Sequence, residues 1–355
     1  MRTHSFANRE MAAYYLKELH NRPHTDRKMR VVFLVQDSVI WDKQKPVYDV
    51  FAADETVETV IVLVPTYKAT DSAVQNSVGR YDAHYWHFFH EHYPNVYDFT
   101  NTFDLSVFAP DYIFMASPYE GLRPLVGTRA RDLARIAKLC YVAYGTQGLK
   151  FFIYSETMMP EFFSHLSFFF CDSEEEKSAM EAAYPLTVNA GVQHFVDIGY
   201  PGFEPYLNTP HEERVMRKVL WMPRWNTEER IGGSHFFAFK DAFLAFAEKY
   251  SRAGIQFVIR PHPLMFDNFV QKGQMTEEDV QDYKAQLAAR GIKPDEGRSA
   301  AIGALRSADI LLTDFSSLMM HFFLLDRPMV YCPCSSELMD DFKKAIEGSY
   351  VAENW

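Results

Sequence analysis

A chain of 355 residues is too long for one ordinary hydrophobic core and has room for two domains of roughly 150 to 200 residues each. Its 48% hydrophobic and 15% aromatic content supplies packed interiors and excludes a disordered chain. With 36 Lys and Arg against 47 Asp and Glu, the net charge of −11 excludes a general nucleic-acid binder, which would neutralise phosphates with a basic face, but leaves room for a local basic pocket.

The first segment with helical spacing is ANREMAAYYLKELH, near the N-terminus. Short apolar runs rich in β-branched and aromatic residues follow: RVVFLVQ from 30, VETVIVLVP from 57, DYIFMASPY from 111, LCYVAY from 139, SFFFCDS from 167 and FVDIGYP from 195. Stretches with helical spacing, such as RARDLARIAKL, separate several of them, which predicts buried parallel strands in an α/β unit. A second series comprises KVLWMPRW from 218, IQFVIRPHP from 255, ADILLTDFSS from 308 and RPMVYCP from 327. The polar segment PGFEPYLNTPHEERVMR between the series predicts a linker. The expected architecture is therefore two doubly wound, Rossmann-like α/β domains, residues 1–205 and 206–355, facing each other across a cleft.

Cys140, Cys171 and Cys332 lie in strand-like runs, so their thiols are expected to be reduced and buried, as in a cytoplasmic protein. No stretch reaches the roughly 18 to 20 apolar residues of a spanning helix, and MRTHSFANRE lacks the apolar centre of a signal peptide. The expectation is a soluble chain, or at most one peripheral to a membrane.

In open α/β sheets, ligands bind beyond the carboxyl ends of the strands, and three segments of the second series place polar residues there. In FVIRPHPLMF, Arg260 and His262 each precede a proline, which favours extended backbone and aims a cation and an imidazole at a phosphate or a reacting hydroxyl. The alternative is a rigid loop whose histidine packs or caps a helix. In LLTDFSSLMMHFFLL, the apolar spacing from 318 predicts a buried helix with Ser316 and Ser317 in its first turn, where unpaired N–H groups attract an anion. A plain N-cap is the alternative. Thr313 and Asp314 lie beside these serines, and Asp314 suits a ribose or a basic neighbour. In WMPRWNTEERIGGSHFF, Arg224 can clamp a phosphate, and Gly232 with Gly233 allows a close loop approach ahead of Ser234 and His235, against the alternative of a solvated loop. His84, His87, His90 and His92 lack a zinc-site pattern, and CPC at 332–334 lacks a second pair, so neither predicts a metal.

MPRW, GGSHFF, IRPHPLMF and ILLTDFSSLMMHFFLLDRPMVYCP, in this order, resemble the CDP-glycerol glycerophosphotransferase family of teichoic-acid and capsule-like polymer enzymes. A weaker match rests on DYIFMASPYEG, YVAYGTQGLK and DIGYP. The resemblance implies a GT-B fold with an acceptor-side N-terminal domain and a nucleotide-donor C-terminal domain. It further implies transfer of a polyol phosphate from a CDP-linked donor to a cell-surface polymer or lipid-linked acceptor, with CMP as leaving group and no cofactor. Carried over by position, His262 would act on the phosphate or the acceptor proton, Arg260 and Arg224 would balance pyrophosphate charge, Ser316 and Ser317 with the helix N-terminus would bind phosphate, and Asp314 with Thr313 would belong to the same donor site. The expected location is cytoplasmic, at the inner face of the membrane if an acceptor is lipid-linked. A GT-B glycosyltransferase using a nucleotide sugar and a non-catalytic nucleotide-binding subunit are the alternatives.

Two departures stand out. Many members carry His-Gly on the acceptor side where this chain has Tyr144-Gly145, and a phenol is a poor base near neutral pH. Either His262 or His235 takes over the proton, the acceptor or transferred group differs, or activity is lost. Relatives also continue beyond the point corresponding to SYVAENW, so a truncated polypeptide is expected.

Overall fold

The computed structural model describes residues 26–36, 40–64, 83–98, 104–123, 126–146, 159–207, 217–228, 233–295 and 301–332. The expected N-terminal helix, Gly232, Cys334 and SYVAENW lie outside these residues. The chain divides into two compact units, Met1–Gly202 and Phe203–Trp355.

The first unit holds a parallel sheet in the order β3-β2-β1-β4-β5-β6-β7. Its strands are β1 (Met29–Val35), β2 (Val57–Leu63), β3 (Val96–Asp98), β4 (Tyr112–Met115), β5 (Lys138–Val142), β6 (Phe168–Cys171) and β7 (His194–Asp197). Alternation explains why the apolar runs are continuous: Val31, Phe33 and Val35 enter one core layer, whereas Val32 and Leu34 enter the opposite one. A strand covered on both faces needs apolar residues at every position. The helical spacing of RARDLARIAKL yields only a short helix, Ala130–Leu133, before β5 begins at Lys138.

The second unit carries a smaller parallel sheet in the order β10-β9-β8-β11-β12. Its members are β8 (Lys218–Met222), β9 (Gln256–Ile259), β10 (Lys293–Pro294), β11 (Ile310–Thr313) and β12 (Met329–Tyr331). The helix Phe236–Ser251 turns Phe236, Phe243, Leu244 and Ala247 inward, and Trp221 of β8 lies 4.7 Å from the Phe243 ring. Burial of each such large side chain contributes roughly 1.5–3 kcal/mol. The chain leaves that helix through Gly254 at φ 79°, a left-handed conformation suited to glycine. The helix Glu277–Ala289 begins with a reciprocal capping box between Thr276 and Asp279.

An aspartate anchors each sheet at the amino end of its central strands. Asp111 accepts from the Arg30 amide of β1 at 2.7 Å, and Asp309 accepts from the Arg217 and Lys218 amides at the start of β8, both at 2.9 Å. In each sheet the chain runs outward in one direction from a central strand, then returns to the other side of it. The topological switch points therefore lie between β1 and β4 and between β8 and β11, where crevices form beyond the carboxyl ends.

Candidate functional site

At the β8/β11 switch point, two strand ends are joined by one carboxylate. Asp314, just after β11 and 1% exposed, accepts the Arg224 amide at 2.8 Å, the His235 amide at 3.1 Å, the His235 ring Nδ1–H at 2.9 Å and the Ser234 hydroxyl at 3.3 Å. Four donors satisfy an ionised carboxylate in a place where an unpaired charge would be costly. Asp314 thereby pins the loop after β8 to the segment that opens the helix Phe236–Ser251.

Arg224 is held beyond its amide. Its Nη1 donates to the Phe315 carbonyl at 2.9 Å, and the guanidinium carbon lies 5.4 Å from the centre of the Phe315 ring. The following residues are also fixed: Asn226 is buried, its side-chain oxygen accepts from Lys272 Nζ at 2.9 Å, and its carbonyl accepts the Ser234 amide at 2.7 Å. Asn226 was not singled out in the sequence; the available signal was an Asx turn, seen here as the Glu228 amide donating to Asn226 Oδ1 at 3.0 Å.

His262 joins this group from β9. Its amide donates to the Pro223 carbonyl at 3.2 Å, its ring centre lies 6.2 Å from that of Trp225, and its Nδ1 accepts the Leu264 amide at 3.2 Å. The residue keeps solvent exposure, but the protein packed around it and the nearby Arg224 charge disfavour the imidazolium and push its pKa down to about 4. Solvent screening tempers such a shift without changing its sign.

Arg260, the other polar residue of this motif, is directed differently. It is 5% exposed, and its Nη1 donates to Asp295, just after β10. Thr313 is also buried, with its hydroxyl donating to the Asp314 carbonyl at 2.8 Å and the Met222 carbonyl at 3.3 Å. The helix predicted from 318 spans Leu318–Phe323. Ser317 is its N-cap without a side-chain capping bond, while the Ser316 hydroxyl accepts the Leu318 amide at 3.2 Å; both serines are half-buried.

In the first unit, Tyr144 and buried Gly145 follow β5. The Tyr144 hydroxyl lies 3.1 Å from that of Tyr119, and the Thr146 hydroxyl donates to Asp172 at 2.6 Å. At the β1/β4 switch point, buried Arg123 donates to the Ser117 carbonyl at 2.9 Å and Gln36 Oε1 at 3.4 Å. Burial presses its guanidinium down to about 10, which leaves it charged at neutral pH. Among the described residues, no group of three His, Cys, Asp or Glu is placed to hold a metal ion, and no helix is long and apolar enough to cross a membrane. Cys140, Cys171 and Cys332 are buried.

The family model described as CDP-glycerol:poly(glycerophosphate) glycerophosphotransferase matches residues 152–341, more than half of the chain. The chain belongs to this family. It is therefore a CDP-glycerol glycerophosphotransferase-like enzyme. Arg224, His235, Arg260, His262, Thr313, Asp314, Ser316 and Ser317 lie within the matched span, whereas Tyr144 and Gly145 precede it. No curated protein sequence matches the chain.

Among solved structures, the UDP-GlcNAc 2-epimerase from Neisseria meningitidis bound to UDP-GlcNAc is 12% identical, with 91% of this chain and 86% of that chain covered and a TM-score of 0.53. The Methanocaldococcus jannaschii UDP-GlcNAc 2-epimerase in complex with UDP-GlcNAc and UDP is 13% identical, covering 91% and 88% at a TM-score of 0.50. Such likeness bears on fold alone, and the fold is GT-B with two Rossmann-like units. The wall teichoic acid polymerase TagF is 13% identical, covering 93% and 78%, at a TM-score of 0.42, which is too low to add to the fold.

Proposed function

We propose that the chain transfers a polyol phosphate, glycerol phosphate or a close analogue, from a CDP-linked donor to a cell-surface polymer or its lipid-linked precursor and releases CMP. The observation that carries this reading is the gathering of Arg224, His235 and His262 around the β8/β11 switch point within the span matched by the family. Phosphoryl transfer depends chiefly on positioning and on balancing charge at the phosphate oxygens. Arg224 supplies a cation, Ser316 and Ser317 supply hydroxyls, and an imidazole of His235 or His262 receives the acceptor proton.

In this reading the donor binds to the second unit, and the first unit, with Tyr144 and Gly145, serves the acceptor. Work on a lipid-linked acceptor would place the chain at the inner face of the cell membrane. The testing experiment is a thermal-shift panel of CMP, CDP, CDP-glycerol, CDP-ribitol, UDP, UDP-sugars and GDP, followed by an assay of CMP release. A ligand at a hundred times its dissociation constant adds about 2.7 kcal/mol to the native state. Selective stabilisation by cytidine nucleotides together with CMP release is expected. Selective stabilisation by UDP compounds would favour a nucleotide-sugar glycosyltransferase, and cytidine binding without turnover on any acceptor would favour a non-catalytic subunit.

A further inference from the structure

The two histidines of the site are hydrogen-bonded through the same ring atom to partners of opposite character. His235 Nδ1 faces a carboxylate oxygen of Asp314 at 2.9 Å, and an ionised carboxylate can only accept, so this nitrogen carries a hydrogen. His262 Nδ1 faces the Leu264 amide at 3.2 Å, and a backbone N–H can only donate, so this nitrogen is bare. In a neutral imidazole the second nitrogen has the complementary role. His235 therefore presents an acceptor at Nε2, whereas His262 presents an N–H there.

We propose that Asp314 and the Leu264 amide hold these histidines in opposite neutral tautomers, so that His235 is the proton acceptor of the transfer and His262 is a neutral hydrogen-bond donor to the donor phosphate. This rests on the polyol-phosphate reading of the site. The acceptor hydroxyl oxygen forms a bond to the β-phosphorus, and the bond from that phosphorus to the bridging oxygen breaks. The bridging oxygen leaves with the electron pair as part of CMP. The hydroxyl proton passes to His235 Nε2, and the resulting imidazolium keeps its Nδ1–H on Asp314 until it releases the proton to solvent.

The surroundings suit this division. The His235 imidazolium would face the Asp314 carboxylate, which is 1% exposed and already oriented by the Arg224 and His235 amides and the Ser234 hydroxyl. The Arg224 charge opposes an imidazolium at His262 but leaves a neutral N–H donor intact. Asp314 is thus a positioning residue, acting through His235 and the loop after β8.

The test is ¹⁵N NMR of the ring nitrogens in the histidine-labelled 355-residue chain at pH 8, with His235→Asn and His262→Asn identifying the two resonance pairs. The expected result is hydrogen on Nδ1 of His235 and on Nε2 of His262. Asp314→Asn is expected to move the His235 hydrogen to Nε2. In CMP-release assays, His235→Asn should lower kcat by at least about a hundredfold, the usual scale of lost general-base catalysis, while His262→Asn should act chiefly on the donor KM. The same tautomer in both histidines, or wild-type kcat in His235→Asn, would overturn the proposal even if Asp314→Asn does not fold. Failure of the wild-type chain to release CMP from any CDP-polyol would overturn the function, and with it the proton transfer; the tautomer pair stands or falls on the spectrum alone.

Discussion

Arg260 and Asp295 form an ion pair that ties the carboxyl end of β9 to the residue just after β10, with the Arg260 side chain 6% exposed and that of Asp295 27% exposed. Asp295 also donates its backbone amide to the Ile259 carbonyl at 2.8 Å, so the pair continues a two-residue strand pairing by other means. The guanidinium thus has a structural task independent of a donor phosphate. Asp295→Ala removes a carboxylate from a buried guanidinium and should lower stability by roughly 3 kcal/mol, seen as a lower urea midpoint. An unchanged midpoint with a raised donor KM would instead make Arg260 a donor ligand.

The depressed pKa of His262 predicts how the site responds to pH. The folded chain holds fewer protons at this position than the unfolded chain between about 4 and the ordinary 6.5, so stability from this group is full above that interval and is lost as the pH falls through it. His262→Gln should flatten the slope of stability against pH in that window. Arg224→Gln removes an opposing positive charge and should raise the His262 pKa, whereas a wild-type His262 resonance should show little titration between about pH 6 and 8. Ordinary titration in the wild-type chain would contradict the packing described around this ring.

The strands were legible because burial on both faces imposes uninterrupted apolar runs, and each of the ten runs read from sequence contains a strand. The two omitted strands have three and two residues, too few to show a period. Within the candidate site, the segments were legible but the bonding was not. The sequence suggests a ribose or a basic neighbour for Asp314 and His235 is such a neighbour, but the amides and side chains that Asp314 accepts from lie 79 to 90 residues away in sequence, so their identity was not legible. Arg260 was read beside His262 because two prolines frame them, but local backbone restriction carries no information about Asp295, 35 residues further on. Only the crossover that sets β9 beside β10 brings that carboxylate near.

The aspartates that precede β4 and β11 yield a prediction concerning fold rather than chemistry. Asp309 is buried and its Oδ2 serves the Arg217 and Lys218 amides together. Asp309→Ala would strand both donors at the start of β8 and should destabilise the chain by about 2 kcal/mol. Because the substitution lies at the amino end of the sheet, opposite the candidate site, nucleotide-induced stabilisation should persist at temperatures where the variant is folded. Loss of binding without loss of stability would contradict this separation.

Tyr144 follows β5 in the first unit, and its hydroxyl is 3.1 Å from that of Tyr119. A phenol makes a poor proton acceptor near neutral pH, whereas a pair of hydroxyls is well suited to exchanging hydrogen bonds with a polyol. Tyr144→Phe should therefore leave kcat within about tenfold of wild type and act mainly on the acceptor KM, since a binding contact is removed but the proton acceptor is not. Steady-state CMP release at varied acceptor concentration separates the two effects. A fall in kcat of a hundredfold or more with an unchanged acceptor KM would move the proton-accepting role to Tyr144 and away from His235.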